Sequence, residues 1–375
     1  MFSRTSTKQI KGWAILFMLA HHLYTFTDRI PYGMELATNK YILGVELTQF
    51  IGKTGILCVP MFMFLGGYGL FASVNIGEKS LVGNFAARLV KLYKQYWKVL
   101  FIFLPIGFIF FGNQPQYCDN EFCNLFSKFE THNFIQTLVG YRAYYNREWW
   151  FLKAYIIAIF EGLVFIRLFK NNDNIYGELF ALIIWAVLTE TVSTLLTETE
   201  TFARLASNEW YSNFFMLKDK YTVCFLEGIV FSKYGIFMSW HSMTDKLGKP
   251  EKLIIFVAAT LCSAYMRMLV NSNVDMILVP IIIFSLWVIT EQLGMLQKAM
   301  TFLGKNSTNM WLTHSFFCYY FYPFVKLVYG SKNAVVAYLV LLALSIAASL
   351  LVEFIWKYIS AGYMWIRGKV IKVEC

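Results

Sequence analysis

Long apolar stretches follow one another along this chain, separated by short polar breaks, and most are near the 18 or more residues that a bilayer-spanning helix requires. They run over 11–27, 50–74, 96–112, 149–169, 178–197, 222–240, 252–270, 274–293, 308–329 and 334–358. The pattern predicts an all-α polytopic membrane protein of about ten transmembrane helices. No Pro-rich or Gly/Ser-rich linker divides it, so residues 1–375 are read as a single domain. The first stretch follows Arg4, Lys8 and Lys11 as a secretory leader would. Its continuation "YTFTDRI" offers no small-residue cleavage site, so it is kept as a span.

The breaks set the orientation. Of the 33 Lys and Arg, 20 fall on the N-terminal side of the membrane and 13 on the other, while the acidic residues divide 8 against 15. Positive loops stay inside, so both termini are expected in the cytoplasm of a multi-pass protein of the cell (inner or plasma) membrane. Composition agrees: 58% of residues are hydrophobic and 15% charged, with a mean hydropathy of +0.51. A soluble protein of this length would carry far more charge. The basic pI of about 9.1 needs no nucleic-acid partner, because cationic loops facing an anionic leaflet account for it. Cys118 and Cys123 share the long outward loop 113–148, as a disulfide or as two free thiols. No Cys/His spacing suits a metal.

Polar residues inside apolar runs are where chemistry is sought. In "KGWAILFMLAHHL", 11–23, Lys11 and His22 are eleven residues apart. On a helix that is about 20° past three turns and about 16 Å, which sets His22 near mid-membrane on the face of Lys11. His21 turns about 100° away. "VPMFMFLGGYGLF", 59–71, gathers Gly66, Gly67 and Gly69, which allow a helix or ligand to approach closely. In "NFAARLVKLYKQYWKV", 84–99, Arg88, Lys91 and Gln95 share one face opposite Leu89, Leu92, Tyr93 and Tyr96. That is an interfacial amphipathic helix, for lipid headgroups or for a polyanionic cofactor.

"REWWFLKAYIIAIFEGLVF", 147–165, opens with Glu148, suited to orienting a hydroxylated substrate, and with Trp149 and Trp150, which read as an aromatic belt. Lys153 and Glu161 add charges within the span. In "LGKNSTNMWLTHSFF", 303–317, Asn306 or Ser307 is expected to cap a helix whose free N–H groups, with Lys305, form an anion site. His314 would then lie about 10 Å inside.

In their order these stretches resemble the acyltransferase-three family of integral membrane acyltransferases, which acylate cell-surface sugars. Lys11 and His22 match its basic residue and histidine with ten residues between them, with His21 where a second histidine is common. Phe62, Phe64, Gly67 and Tyr68 match its aromatic Ser-Gly-Tyr motif, with Gly66 where Ser is usual. Arg88 and Lys91 match its basic segment, and Trp150, Phe151 and Leu152 its Trp-aromatic-Leu. Leu303, Gly304, Ser307, Leu312 and His314 match its Leu-Gly-x-x-Ser…Leu-x-His. The likeness runs through essentially the whole chain.

The resemblance implies transfer of an acyl group, most simply acetyl, from cytosolic acyl-CoA as co-substrate to a hydroxyl of a cell-surface or exported sugar or polysaccharide. No bound cofactor is implied. His22 would be the catalytic base. Lys11, Arg88 and Lys91 would hold the CoA phosphates, helped by Lys305 and Ser307. His21, Gly67, Tyr68, Glu148, Trp150 and His314 would shape the site or meet the acceptor. The alternative reading is a non-enzymatic transporter of an anionic metabolite or lipid-linked sugar. A haem-binding electron carrier is a distant third.

Overall fold

A computed structural model describes residues 2–373 except 37, 39, 43, 77–79, 200–203, 205–219 and 271–273. The first seven helices are α1 Arg4–Thr25, α2 Leu47–Gly55, α3 Cys58–Ile76, α4 Leu81–Phe110, α5 Thr131–Leu138, α6 Trp150–Leu168 and α7 Ile175–Glu198. Then follow α8 Lys220–Tyr234, α9 Ile236–Met243, α10 Lys249–Val270, α11 Asp275–Gln292, α12 Gly294–Ser315, α13 Tyr322–Tyr329 and α14 Ala334–Val373. A two-stranded antiparallel ribbon, β1 Tyr41–Ile42 with β2 Val45–Glu46, is the sheet among the described residues.

Among the described residues, four helices are long and apolar enough to cross a membrane: Leu47–Val74, Lys249–Val270, Asp275–Gln292 and Ala334–Gly362. A fifth is added if Tyr221–Tyr234 and Ile236–Met243 form one span, bent by 67° at Gly235, whose φ of +62° suits a residue without Cβ. The stretches 11–27, 96–112, 149–169 and 308–329 are also largely helical, but polar residues such as Lys11, Lys153 and Glu161 or a break in the helix interrupt them. The stretch 178–197 lies within α7, whose apolar part, Ile175–Leu188, is shorter than a full span. The chain is a multi-pass, helical membrane protein.

Two expectations need correction. The amphipathic stretch 84–99 is not a separate helix. It is the first half of α4, which runs on through Pro105 to Phe110, because no helix breaker stands between Arg88 and Val99. Nor does a helix start at Asn306 or Ser307. α12 begins at Gly294, so the N–H groups near Lys305 are already engaged in intrahelical bonds.

Local chemistry explains how the site-bearing helices are seated. Ser3 caps α1 by accepting from the amides of Thr5 and Ser6. Where α1 crosses α12, a Cβ on Gly304 would overlap the Lys8 carbonyl, so only glycine permits this contact. Where α3 crosses α8, Gly67 faces the Phe225 carbonyl and Gly228 faces that of Phe64, a reciprocal lock of small residues. Segment 113–148 is folded: Cys118 and Cys123 are joined by a disulfide, and the end of α5 is tied to α4. Tyr96 Oη donates to the Thr137 carbonyl at 2.6 Å, and Trp97 Nε1 to that of Leu138 at 2.9 Å. A core of aromatic rings, Phe103, Phe126, Trp149, Phe316 and Phe321, joins this segment to the end of α12.

Candidate active site

The last turn of α1 and the last turn of α12 bring two imidazoles together. The ring centres of His22 and His314 are 4.6 Å apart. His314 is fully buried, whereas His22 keeps some exposure. Beyond Ser315 the chain widens into a π-helical turn, Phe316–Tyr320, closed by the Phe321 amide on the Phe316 carbonyl at 2.8 Å. Such turns recur at functional sites. This one points Tyr319 at His22 and Tyr320 at Glu148.

The partners fix the tautomers. Tyr319 Oη donates its one proton to the His22 carbonyl, so its contact with His22 Nδ1 at 3.3 Å requires Nδ1 to be the donor. His314 Nδ1 lies 2.7 Å from the Trp311 carbonyl, which can only accept. Both neutral rings therefore carry hydrogen on Nδ1 and leave Nε2 with a lone pair. His314 Nε2 is buried with no hydrogen-bond partner among the described residues. His21 differs: its Nδ1 is held by the Gly52 carbonyl at 2.8 Å and lies 3.1 Å from Thr25 Oγ1, tying α1 to α2.

Beside the imidazoles is a buried ion pair. Glu148, 4% exposed, accepts from Arg29 Nη1 at 2.6 Å on Oε1 and from Tyr320 Oη on Oε2. Its carbonyl accepts from Trp311 Nε1 at 3.2 Å. The Arg29 guanidinium lies over the rings of Phe26 and Tyr319, 4.3 and 4.6 Å from their centres, a cation–π arrangement. Arg29 thus links the carboxylate to the tyrosine that holds His22. Glu148 also exerts its charge on His314.

A second cluster forms about 16 Å from His22 along α1. The charges of Arg88 and Lys91 bear on Lys11, so α1 and α4 bring three cations together. Arg88 Nη2 donates to the Gly69 carbonyl and to Ser73 Oγ at 2.9 Å, while Lys91 is exposed. Lys305 is exposed, and buried Ser307 donates to the Gly304 carbonyl at 3.0 Å; it caps nothing. Gly67 is taken up in the lock with α8, and Tyr68 packs among Phe2 and Phe237.

The tryptophan pair does not act as one belt. Trp149 is buried, donating to the Leu312 carbonyl at 2.9 Å. Only Trp150 is substantially exposed, at 39%. The belt reading fails for Trp149 because the ring is needed in the core against Tyr96 and Phe316.

Sequence reasoning did not single out Arg29, Trp311, Tyr319 or Tyr320. The run "FFCYYFYPF", 316–324, carried a signal for the tyrosines: two adjacent polar-tipped rings in an apolar run need partners. Arg29, beside Asp28 just past α1, carries no such signal.

No curated protein and no solved structure matches the chain. The family described as an acyltransferase domain matches residues 7–354, a stretch that holds both imidazoles, the ion pair and the cationic cluster. On that match the chain belongs to the acyltransferase-three family and is a membrane acyltransferase.

Proposed function

We propose that the protein moves an acyl group, most simply acetyl, from cytosolic acyl-CoA to a hydroxyl of a cell-surface or exported sugar, as one domain crossing the cell membrane ten times with both termini in the cytoplasm. The observation that carries this reading is the His22–His314 pair, two imidazoles 4.6 Å apart whose Nε2 lone pairs are left over by their other bonds. In an acyltransferase such a pair suits both proton transfers of the reaction.

His22 Nε2 takes the proton of the acceptor hydroxyl as its oxygen attacks the thioester carbonyl. The carbon–sulfur bond breaks, and the imidazolium returns the proton to the departing CoA thiolate. Atoms and charge balance without a further reactant. His314 stabilises the transient positive charge with its own lone pair. Glu148, held by Arg29 and Tyr320, bears its negative charge on His314 in a medium where it is weakly screened. Burial also keeps water from the thioester. Lys11, Arg88 and Lys91 hold the CoA phosphates by charge.

The test is comparison of surface glycans, and of purified protein in lipid nanodiscs, with and without acyl-CoA. Loss of one ester-linked acyl group in cells lacking the gene, with CoA thiol released in step with acceptor acylation in vitro, supports the reading. Unchanged glycans with movement of an unmodified sugar across the bilayer would return the protein to a transporter.

A further inference from the structure

We infer that Gln114 and Tyr117, on the loop that leads into the Cys118–Cys123 disulfide, are positioning residues for acyl transfer: they hold the π-helical turn whose two tyrosines set His22 and Glu148. The inference rests on the acyl-transfer reading above, in which His22 is the base, and extends the machinery beyond the residues named there. The need for a brace is built into the turn. A helix that stops leaves its last carbonyls without intrahelical partners. Here the ladder stops after the Phe321 amide has bonded the Phe316 carbonyl. Pro323, two residues on, has no N–H with which to continue it. The carbonyls of Tyr319 and Tyr320, both buried, therefore need donors from elsewhere, since a buried carbonyl left unmatched is costly.

Two side chains of one loop supply them. Gln114 Nε2 donates to the Tyr320 carbonyl at 2.8 Å, and Gln114 Oε1 accepts from the Tyr322 amide at 2.6 Å. A carboxamide suits this place because it offers a donor and an acceptor on one rigid fork. Tyr117 Oη donates to the Tyr319 carbonyl, and its ring stacks on that of Tyr322 with centres 4.6 Å apart. The loop is itself secured. The Tyr32 amide donates to the Tyr117 carbonyl at 2.9 Å, Asn120 Nδ2 donates to Asp28 at 2.8 Å, and the disulfide closes the chain just beyond Tyr117.

Two lines of contact run from this loop to the reacting groups. Tyr117 holds the backbone of Tyr319, whose hydroxyl donates to the His22 carbonyl. Gln114 holds the backbone of Tyr320, whose hydroxyl donates to Glu148. Each hydroxyl is at the far tip of its side chain, so a small tilt of the turn is magnified at the atom that meets the imidazole or the carboxylate. Displacing reacting groups by about 1 Å costs on the order of 100-fold in rate.

The test measures transfer of labelled acetyl from acetyl-CoA to the glycans of inverted membrane vesicles from cells that make the full chain, each variant normalised to its amount. Tyr117→Phe, which keeps the ring, should lower the maximal rate about 3- to 10-fold, and Gln114→Met about 10- to 100-fold, as loss of one and of two hydrogen bonds would. The KM for acetyl-CoA should be unchanged. The decisive readout is coupling. In a Tyr319→Phe background Tyr117→Phe should cost less than about twofold more, because the hydroxyl it positions is already gone, and Gln114→Met should behave likewise in Tyr320→Phe. Losses that multiply in either pair overturn the role of that residue, as does a raised acetyl-CoA KM with an unchanged maximal rate. If Gln114→Met does not accumulate, Tyr117→Phe, which preserves every ring contact, decides the matter. If wild-type vesicles transfer no acetyl, the acyl-transfer reading is at fault. The rate at which diethyl pyrocarbonate modifies His22 in the purified chain, read by mass spectrometry, then judges the brace separately: a changed rate in Tyr117→Phe supports it, and an unchanged rate overturns it.

Discussion

The protein builds nearly the same ion pair twice and uses it differently. Arg29 meets Glu148 and Lys233 meets Glu178, each at 2.6 Å, and in each a tyrosine hydroxyl also donates to the carboxylate, from Tyr320 and Tyr234. Around Lys233 every donor is engaged. The ammonium has three hydrogens, and they go to Glu178 and to the carbonyls of Phe169 and Asn172. That closes the C-terminal end of α6 and clasps α7 and α8 to it. Around Arg29 the bonding is incomplete among the described residues: its Nε is buried without an acceptor, and nearby His314 Nε2 has no partner. Glu178 Oε2 is likewise buried without a partner among the described residues, so what separates a clasp from a site is the kind of group beside the pair: only Arg29 and Glu148 stand next to imidazoles that can carry a proton.

The largest expected effect is at the open end of this comparison. His22→Ala should lower acyl transfer about 100- to 10,000-fold, the usual cost of a positioned base, while the protein still inserts and accumulates. His21→Ala, which removes the ties to Gly52 and Thr25, should retain measurable turnover. An active His22→Ala beside a dead His21→Ala would reverse the assignment of the two rings.

Next, Glu148→Gln should cut turnover about 100-fold, the order expected when a supporting group shifts reacting atoms by about 1 Å. Glu178→Gln should instead destabilise the protein by about 3–5 kcal/mol, as breaking a buried pair does, with activity per folded molecule preserved. Thermal unfolding in detergent and specific activity, measured on both, separate the roles. If Glu178→Gln loses activity without losing stability, the contrast between clasp and site is wrong.

Lys91→Ala should act at the donor end, raising the acyl-CoA KM by about tenfold, with little change in maximal rate, the mark of lost ground-state binding. Lys91 tests this more cleanly than Arg88, whose guanidinium also holds Gly69 and Ser73. A donor KM insensitive to both Lys91→Ala and added salt would return the cluster to lipid headgroups. The smallest effect belongs to Tyr319→Phe, which removes one hydrogen bond from each side of His22 and should slow transfer about fivefold. No change at all would mean that the π-turn does not position the ring.

The helical membrane class was legible because apolar runs of span length, repeated along a chain, bury their surface most readily in a bilayer. Residues were legible where a face or spacing is fixed within one helix, as for Lys11 with His22 or Arg88 with Lys91. Contacts between distant elements were not. Nothing in "TDRI" says that Arg29 reaches Glu148, 119 residues later. The start of α12 was misjudged because Asn306 and Ser307 are good cap residues, while the true start, after Leu293, has no side-chain cap. Tyr68 was selected by its motif, yet its ring packs with Phe2 and Phe237, a contact made across 66 and 169 residues that no local pattern reports.

The unbroken helix α4 carries Arg88 in the cationic cluster and Tyr96, whose hydroxyl holds Thr137 of segment 113–148. Eight residues separate them, about 12 Å of helix. Insertion of one residue between these positions would lengthen the rod by about 1.5 Å and rotate everything beyond it by about 100°, turning Tyr96 from Thr137 and Phe103 from Phe316. This stretch should therefore vary by substitution and never by length, whereas segment 113–148, anchored at intervals, can gain or lose residues between its anchors.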